Sequence, residues 1–176
     1  MFLFHAGGSD AGLISGLIHP VFGLDHLLAM VSVGVISSQL GGKNIWRIPS
    51  LFVCAMVFGG ILGIFEMPLP FYEKGIAFSL ILLGVGITFA DKTSSALIIS
   101  LFVIFFGICH GFAHGVEIPK SVSPMLYTIG FLISTSVLHI FGVVIGEVSA
   151  MKSFWLKTLR FSGVIVGFAG VYFLFL

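Results

Sequence analysis

Six stretches of the chain are predominantly apolar on both phases of a two-residue alternation, not on one alone. They cover 11–38, 48–65, 76–90, 96–116, 125–145 and 159–176, and turn-forming or charged residues separate them. A helix needs about 20 apolar residues to cross the hydrocarbon core of a bilayer. A transmembrane barrel would show strict alternation instead. The pattern therefore predicts an all-α membrane protein with six transmembrane helices, folded as a single polytopic domain over 1–176. The first stretch is long and holds Pro20 and Gly23, so its helix is expected to be kinked or broken near Pro20. The third is short and is expected to borrow Phe71 and Tyr72 at its start. No connection is long enough to form an extramembrane domain.

Composition narrows the class further. Hydrophobic residues make up 58% of the chain and charged residues only 9%, against about 25% in ordinary soluble domains. Too few charged side chains exist to hydrate a soluble surface, which excludes a soluble enzyme. Disorder is excluded by the apolar content. A net charge of +1 with no basic stripe excludes a nucleic-acid binder. Cys54 and Cys109 both lie inside apolar runs and form no CxxC, so they carry no redox signature.

Charge also sets the expected orientation. Lys43, Arg47, Lys92, Lys152, Lys157 and Arg160 fall at the first, third and fifth connections, leaving only Lys74 and Lys120 for the others. The positive-inside rule then puts both termini outside the cytoplasm. An outside N-terminus ordinarily needs a removable leader, and residues 1–4 are too short to be one. The expectation is that the sequence begins near a processed N-terminus. Six spans divide into three plus three, which allows an inverted repeat. Glycine pairs four apart, such as Gly59/Gly63, Gly107/Gly111/Gly115 and Gly142/Gly146, let helix backbones approach closely.

Ionisable residues inside spans are costly, and here they form a definite set. The first span carries His19, Asp25 and His26; the fourth carries His110, His114 and Glu117; the fifth carries His139 and Glu147; His5 and Asp10 precede the first. In an unbroken helix His19 and His26 would lie about 10.5 Å apart along the axis, too far for one ion. Unwinding at Pro20 and Gly23 would shorten that gap, or the two would serve successive sites. Asp25 points about 100° away from His26 on a regular helix and is expected to need its own partner. His110, His114 and Glu117 share one helical face at i, i+4 and i+7, a recurrent metal-ligand spacing. The plain alternatives are a merely kinked first span and an interfacial His114 and Glu117. His139, with Ser134, Thr135 and Ser136 nearby, is either a ligand or a core histidine bonded to those hydroxyls. Glu147 is expected at the inner interface. From outside inward the expected order is His5 and Glu117, His114 and His110, His19, Asp25 and His26, then His139. Imidazole with a little carboxylate suits Ni²⁺, Co²⁺ or Zn²⁺.

The segments His19-Pro20, Gly23 to Met30 with Val33-Gly34, and His110 to Glu117 resemble those of the HupE/UreJ family of small bacterial membrane proteins, accessory to hydrogenase and urease. His5-Ala6-Gly7-Gly8 is similar to that family's processed N-terminus. The resemblance covers essentially the whole chain. It implies a nickel or cobalt permease that supplies metalloenzyme assembly or cobalamin synthesis.

The combined expectation is a permease in the bacterial inner membrane, not an enzyme, with a divalent transition metal as substrate. Capture would use His5, His114 and Glu117; a central site would use His19, Asp25, His26 and His110; His139 would be an exit ligand. The expected partners are the metal ion, the bilayer, a second copy of the chain as one option and, indirectly, metalloenzyme maturation machinery. Two other classes stay open: an intramembrane zinc hydrolase with Asp25 as acid–base group, and a metal-sensing or assembly subunit of a larger complex.

Overall fold

In hydrocarbon every backbone N–H and C=O must be satisfied within the chain, so each apolar stretch closes its own hydrogen bonds as a helix. A computed structural model describes residues 11–176; His5 and Asp10 lie outside the described residues. Its helices are α1 (Ala11–Phe22), α2 (Leu24–Leu40), α3 (Asn44–Ile64), α4 (Tyr72–Phe89), α5 (Ala96–Val116), α6 (Pro124–Ala150) and α7 (Ser153–Leu174). Five of them, α3 to α7, are each long and apolar enough to cross a bilayer. The other two pass the same test only together, as a pair bent by 80° at the break between them.

That bend falls at Gly23, three residues after the proline that announced it. Pro20 is carried inside α1, and the helix ends only where Gly23 takes an extended conformation, φ −80° and ψ 104°. The Gly23 amide still donates to the His19 carbonyl at 3.3 Å, and the Gly23 carbonyl accepts from Leu27 at 2.8 Å. The backbone turns a corner without orphaning these groups.

Other boundaries follow local chemistry. Gly41 and Gly42 adopt positive φ of 69° and 57° in the turn between α2 and α3, where glycine carries no steric penalty. Ser95 and Ser123 cap α5 and α6 by accepting from the amides of Ile98 and Leu126, and Pro124 occupies the first turn of α6. In the α4–α5 turn the Asp91 carboxylate accepts from the Thr93 amide and hydroxyl. Those donors hold its carboxyl below the usual carboxylate range. Helices α3, α6 and α7 extend beyond the apolar runs. α7 starts at Ser153 and carries Lys157 and Arg160 within it, because long basic side chains reach toward the headgroups from a helical backbone. Tyr72 opens α4 as expected, whereas Phe71 stays outside it with φ 63°.

Glycines set the packing. A Cβ on Gly59 or Gly111 would fall on the carbonyl oxygen of Ile108 or Met56, so α3 and α5 touch backbone to backbone. Gly34 meets the His139 carbonyl and Gly16 the Tyr127 carbonyl, which seats both α1 and α2 on α6. Gly84 faces Gly163 and Gly167 across α4 and α7. The register runs parallel in the first two pairings and antiparallel in the third. Exchanging the first three spans for the last three maps the first pairing onto the second and the third onto itself, which is the pattern an inverted repeat requires. Phe58, Phe102, Phe105 and Phe168 remain exposed on the outer faces, where lipid would cover them.

The contact geometry yields a paired expectation. Gly111→Ala forces a methyl into the α3 backbone and is expected to cost roughly 1–3 kcal/mol, read as a lowered melting temperature in detergent. Gly60→Ala meets only the Gly111 carbonyl oxygen, at 3.5 Å, and is expected to melt with the parent. Equal melting of all three proteins would show that backbone contact does not set the helix spacing.

Candidate metal-binding site

The turn at Gly23 puts Asp25 and His26 into the first turn of α2, where backbone N–H groups have no partner within the helix. Asp25 folds back to use them. Its Oδ1 accepts from the His26 amide at 2.9 Å and from His26 Nδ1 at 2.8 Å. The partner that Asp25 was expected to need elsewhere is therefore its own neighbour: a short carboxylate at a helix start curls toward the following residue, so the 100° spacing does not separate them. With the proton on Nδ1, the free lone pair of His26 is on Nε2.

His110 reaches the same state by another route. Its Nδ1–H donates to the Phe106 carbonyl one turn earlier, at 2.9 Å, which leaves Nε2 as the acceptor. Both Nε2 atoms are buried without a hydrogen-bond partner, as are both nitrogens of His114. Fixing the far nitrogen of an imidazole orients the ring and raises its basicity as a metal ligand.

These rings form one contiguous group. His26 lies 4.2 Å from His114 and 5.2 Å from His110, centroid to centroid. His19 lies 4.8 Å from His114 and 6.4 Å from His26. His19 Nε2 is 3.1 Å from Glu117 Oε2, and His114 Nδ1 is 3.8 Å from the same oxygen. Potential ligand atoms of His19, His114 and Glu117 all lie within 4.8 Å of one another. The structure thus brings together His19, Asp25, His26, His110, His114 and Glu117. It also corrects the depth order: the bend at Gly23 keeps His19 beside Glu117 at the mouth, not below His110.

The mouth is a cleft of about 1120 Å³ lined by His19, Asp25, His26, Glu117 and Tyr127, with Ile14, Ile18 and Phe22 of α1 as its apolar wall. Half-exposed His19 and Glu117 stand at the rim, while His110 and His114 are buried. Tyr127 escaped the sequence reading. Its ring is 5.8 Å from His19 and its hydroxyl is buried without a partner; a tyrosine set inside an apolar run was its only signal.

His139 is apart. Ser136 spends its hydroxyl on the Leu132 carbonyl, and both His139 nitrogens are buried without partners, so the hydroxyl-bonded core alternative is not realised. The Phe52 ring packs against both it and the cluster, 5.3 Å from His139 and 5.5 Å from His110. Glu147 is exposed near the end of α6.

A bundle of apolar spans closed around interior imidazoles defines a multi-pass membrane protein with a polar site inside the membrane. The family model described as HupE / UreJ protein matches residues 2–173, and the chain belongs to that family. It is similar to Protein HupE of Rhizobium leguminosarum bv. viciae, with 42% identity over 142 residues, covering 79% of this chain and 72% of that protein. No solved structure matches the chain.

The Asp25–His26 pair predicts a measurable asymmetry. Asp25→Asn is expected to leave the melting temperature near the parent's but to weaken Co²⁺ binding about 10–100-fold, the usual effect of losing such a carboxylate partner. Titration of the visible Co²⁺ bands in purified protein checks this, and parental affinity in Asp25→Asn would remove the orienting role.

Proposed function

We propose that this chain is a permease that carries Ni²⁺ or Co²⁺ inward across a bacterial inner membrane, with both termini on the extracytoplasmic side. The carrying observation is the contiguous set of buried imidazole nitrogens without partners on His26, His110 and His114. An unsatisfied buried polar group costs about 1–3 kcal/mol, and clustering several of them on facing helices is reasonable only if something binds there. Neutral nitrogen donors with one flanking carboxylate suit Ni²⁺, Co²⁺ or Zn²⁺ better than Ca²⁺ or Mg²⁺.

The proposed path starts at the cleft, where Glu117 and His19 meet the hydrated ion and His114 stands behind them. The ion then passes to His26 and His110, and finally to His139. The basic residues at alternate connections support an orientation in which the cleft opens to the extracytoplasmic side. Membership of the HupE/UreJ family supports nickel as the cargo, delivered indirectly to hydrogenase or urease assembly. In the zinc hydrolase alternative Asp25 would be the acid–base group, although its Oδ1 accepts from His26 Nδ1.

Liposomes containing only this protein and a metal-sensitive dye test the reading. Ni²⁺ or Co²⁺ is expected to enter, and His26→Ala is expected to abolish entry while eluting and melting as the parent does. Uptake by His26→Ala at the parental rate would sink the mechanism; absence of uptake by the parent would favour an assembly subunit. Binding needs neutral imidazole, so protons compete with the metal.

A further inference from the structure

We infer that Phe52 is the inner gate of the path, a ring that closes the passage between the histidine cluster and His139 and opens it by swinging into an apolar cavity beside it. The inference rests on the permease reading and adds the moving part which that reading lacks.

Three observations carry it. Phe52 stands edge-on to His139, with rings 5.3 Å apart and 89° between planes, and tilted to His110 at 5.5 Å. It is 1% exposed, so in this state an ion leaving His110 meets a dry phenyl ring. Apolar constrictions of this kind stop ions by excluding water. His139 also borders a separate groove of about 350 Å³ between α3 and α6, with Ser50, Cys54 and Ser136 at its exposed side.

The ring also has somewhere to go. Phe52 borders a third cavity, of about 200 Å³, walled by Val33, Leu83, Val103 and Phe106. An engineered apolar cavity of about 150 Å³ in another protein takes up benzene, so this space can receive a phenyl group. The helix itself has little freedom at this level. A Cβ on Gly107 would come 2.9 Å from the Phe52 carbonyl oxygen and 2.9 Å from the Ala55 side chain. With backbones this close, opening by helix displacement would break the α3–α5 contact. Rotation about the two side-chain torsions of Phe52 leaves it intact.

The test reads the gate with a probe that does not depend on uptake of the natural cargo. His139→Cys is placed in a background carrying Cys54→Ser and Cys109→Ala, and Ag⁺ is added outside proteoliposomes. The remaining free thiol is then counted with a maleimide after solubilisation. Phe52→Ala or the milder Phe52→Leu is expected to speed modification by Ag⁺ at least tenfold, and Phe52→Trp to slow it by a similar factor. Co²⁺ titration in the His139-containing proteins is expected to stay within twofold of the parent, which shows that the outer cluster is folded. Equal Ag⁺ rates with phenylalanine, leucine and tryptophan at this position, with Co²⁺ binding intact, would overturn the gate and leave the permease standing. A parent protein that neither binds nor moves Co²⁺ would overturn the permease, while the Ag⁺ rates would still decide whether Phe52 closes the passage.

Discussion

An imidazole nitrogen in the hydrocarbon layer has to find a partner, and this constraint organises the protein. Four histidines cluster on the first span and α5, and only two of their nitrogens, both Nδ1, are satisfied by acceptors fixed in the backbone or the next residue. Asp25 and the Phe106 carbonyl each accept a hydrogen bond from one Nδ1–H, which leaves the Nε2 lone pair of His26 and of His110 without a partner. A fold that wanted only stability would replace such residues with leucine, because apolar side chains of similar volume pack there at no desolvation cost. Free nitrogens of this kind are what the proposed permease would use to hold a cation.

Close packing makes the cluster attainable. Histidines on different helices meet within 4.2–5.2 Å, ring to ring, only because glycines remove the side chains that would hold the backbones apart. Gly111 and Gly115 neighbour His110 and His114 in sequence, and each presses α5 onto α3 backbone. Gly34 does the same for α2 against α6 at His139. The glycine stripe and the histidine face are thus two sides of one helix, one setting the spacing and the other using the interior that the spacing creates. The bend at Gly23 is a third contribution. It folds His19 back toward His26, to 6.4 Å, where a straight helix would leave them about two turns apart.

Much of this was legible from residue order. Apolar runs of span length fixed the helices, and α5 falls on its expected limits of 96 and 116. The i, i+4, i+7 spacing placed His110, His114 and Glu117 on one face, and proline with glycine announced the break. What could not be read was anything decided by a neighbour. The break falls at Gly23 because that residue takes the extended conformation, while Pro20 stays inside α1, which continues two residues past it. The side-chain direction of Asp25 depended on free amides that exist only once α2 starts at Leu24. Phe52 and Tyr127 were not singled out, since an aromatic ring shows its role only when the rings around it are in place.

The arrangement of ligands bears on why transport suits it better than storage. A resident metal is usually held by a closed set of ligands around one point. Here His114 belongs to two groups at once: it stands 4.8 Å from His19 on the rim side and 4.2 Å from His26 on the inner side. A ligand shared by successive positions lets an ion exchange one donor at a time, so no intermediate is stripped bare in the hydrocarbon. For the permease proposed above, sharing of this kind meets a requirement of conduction, that an ion be bound and yet released. The one gap in that chain of donors, between His110 and His139, is where Phe52 stands.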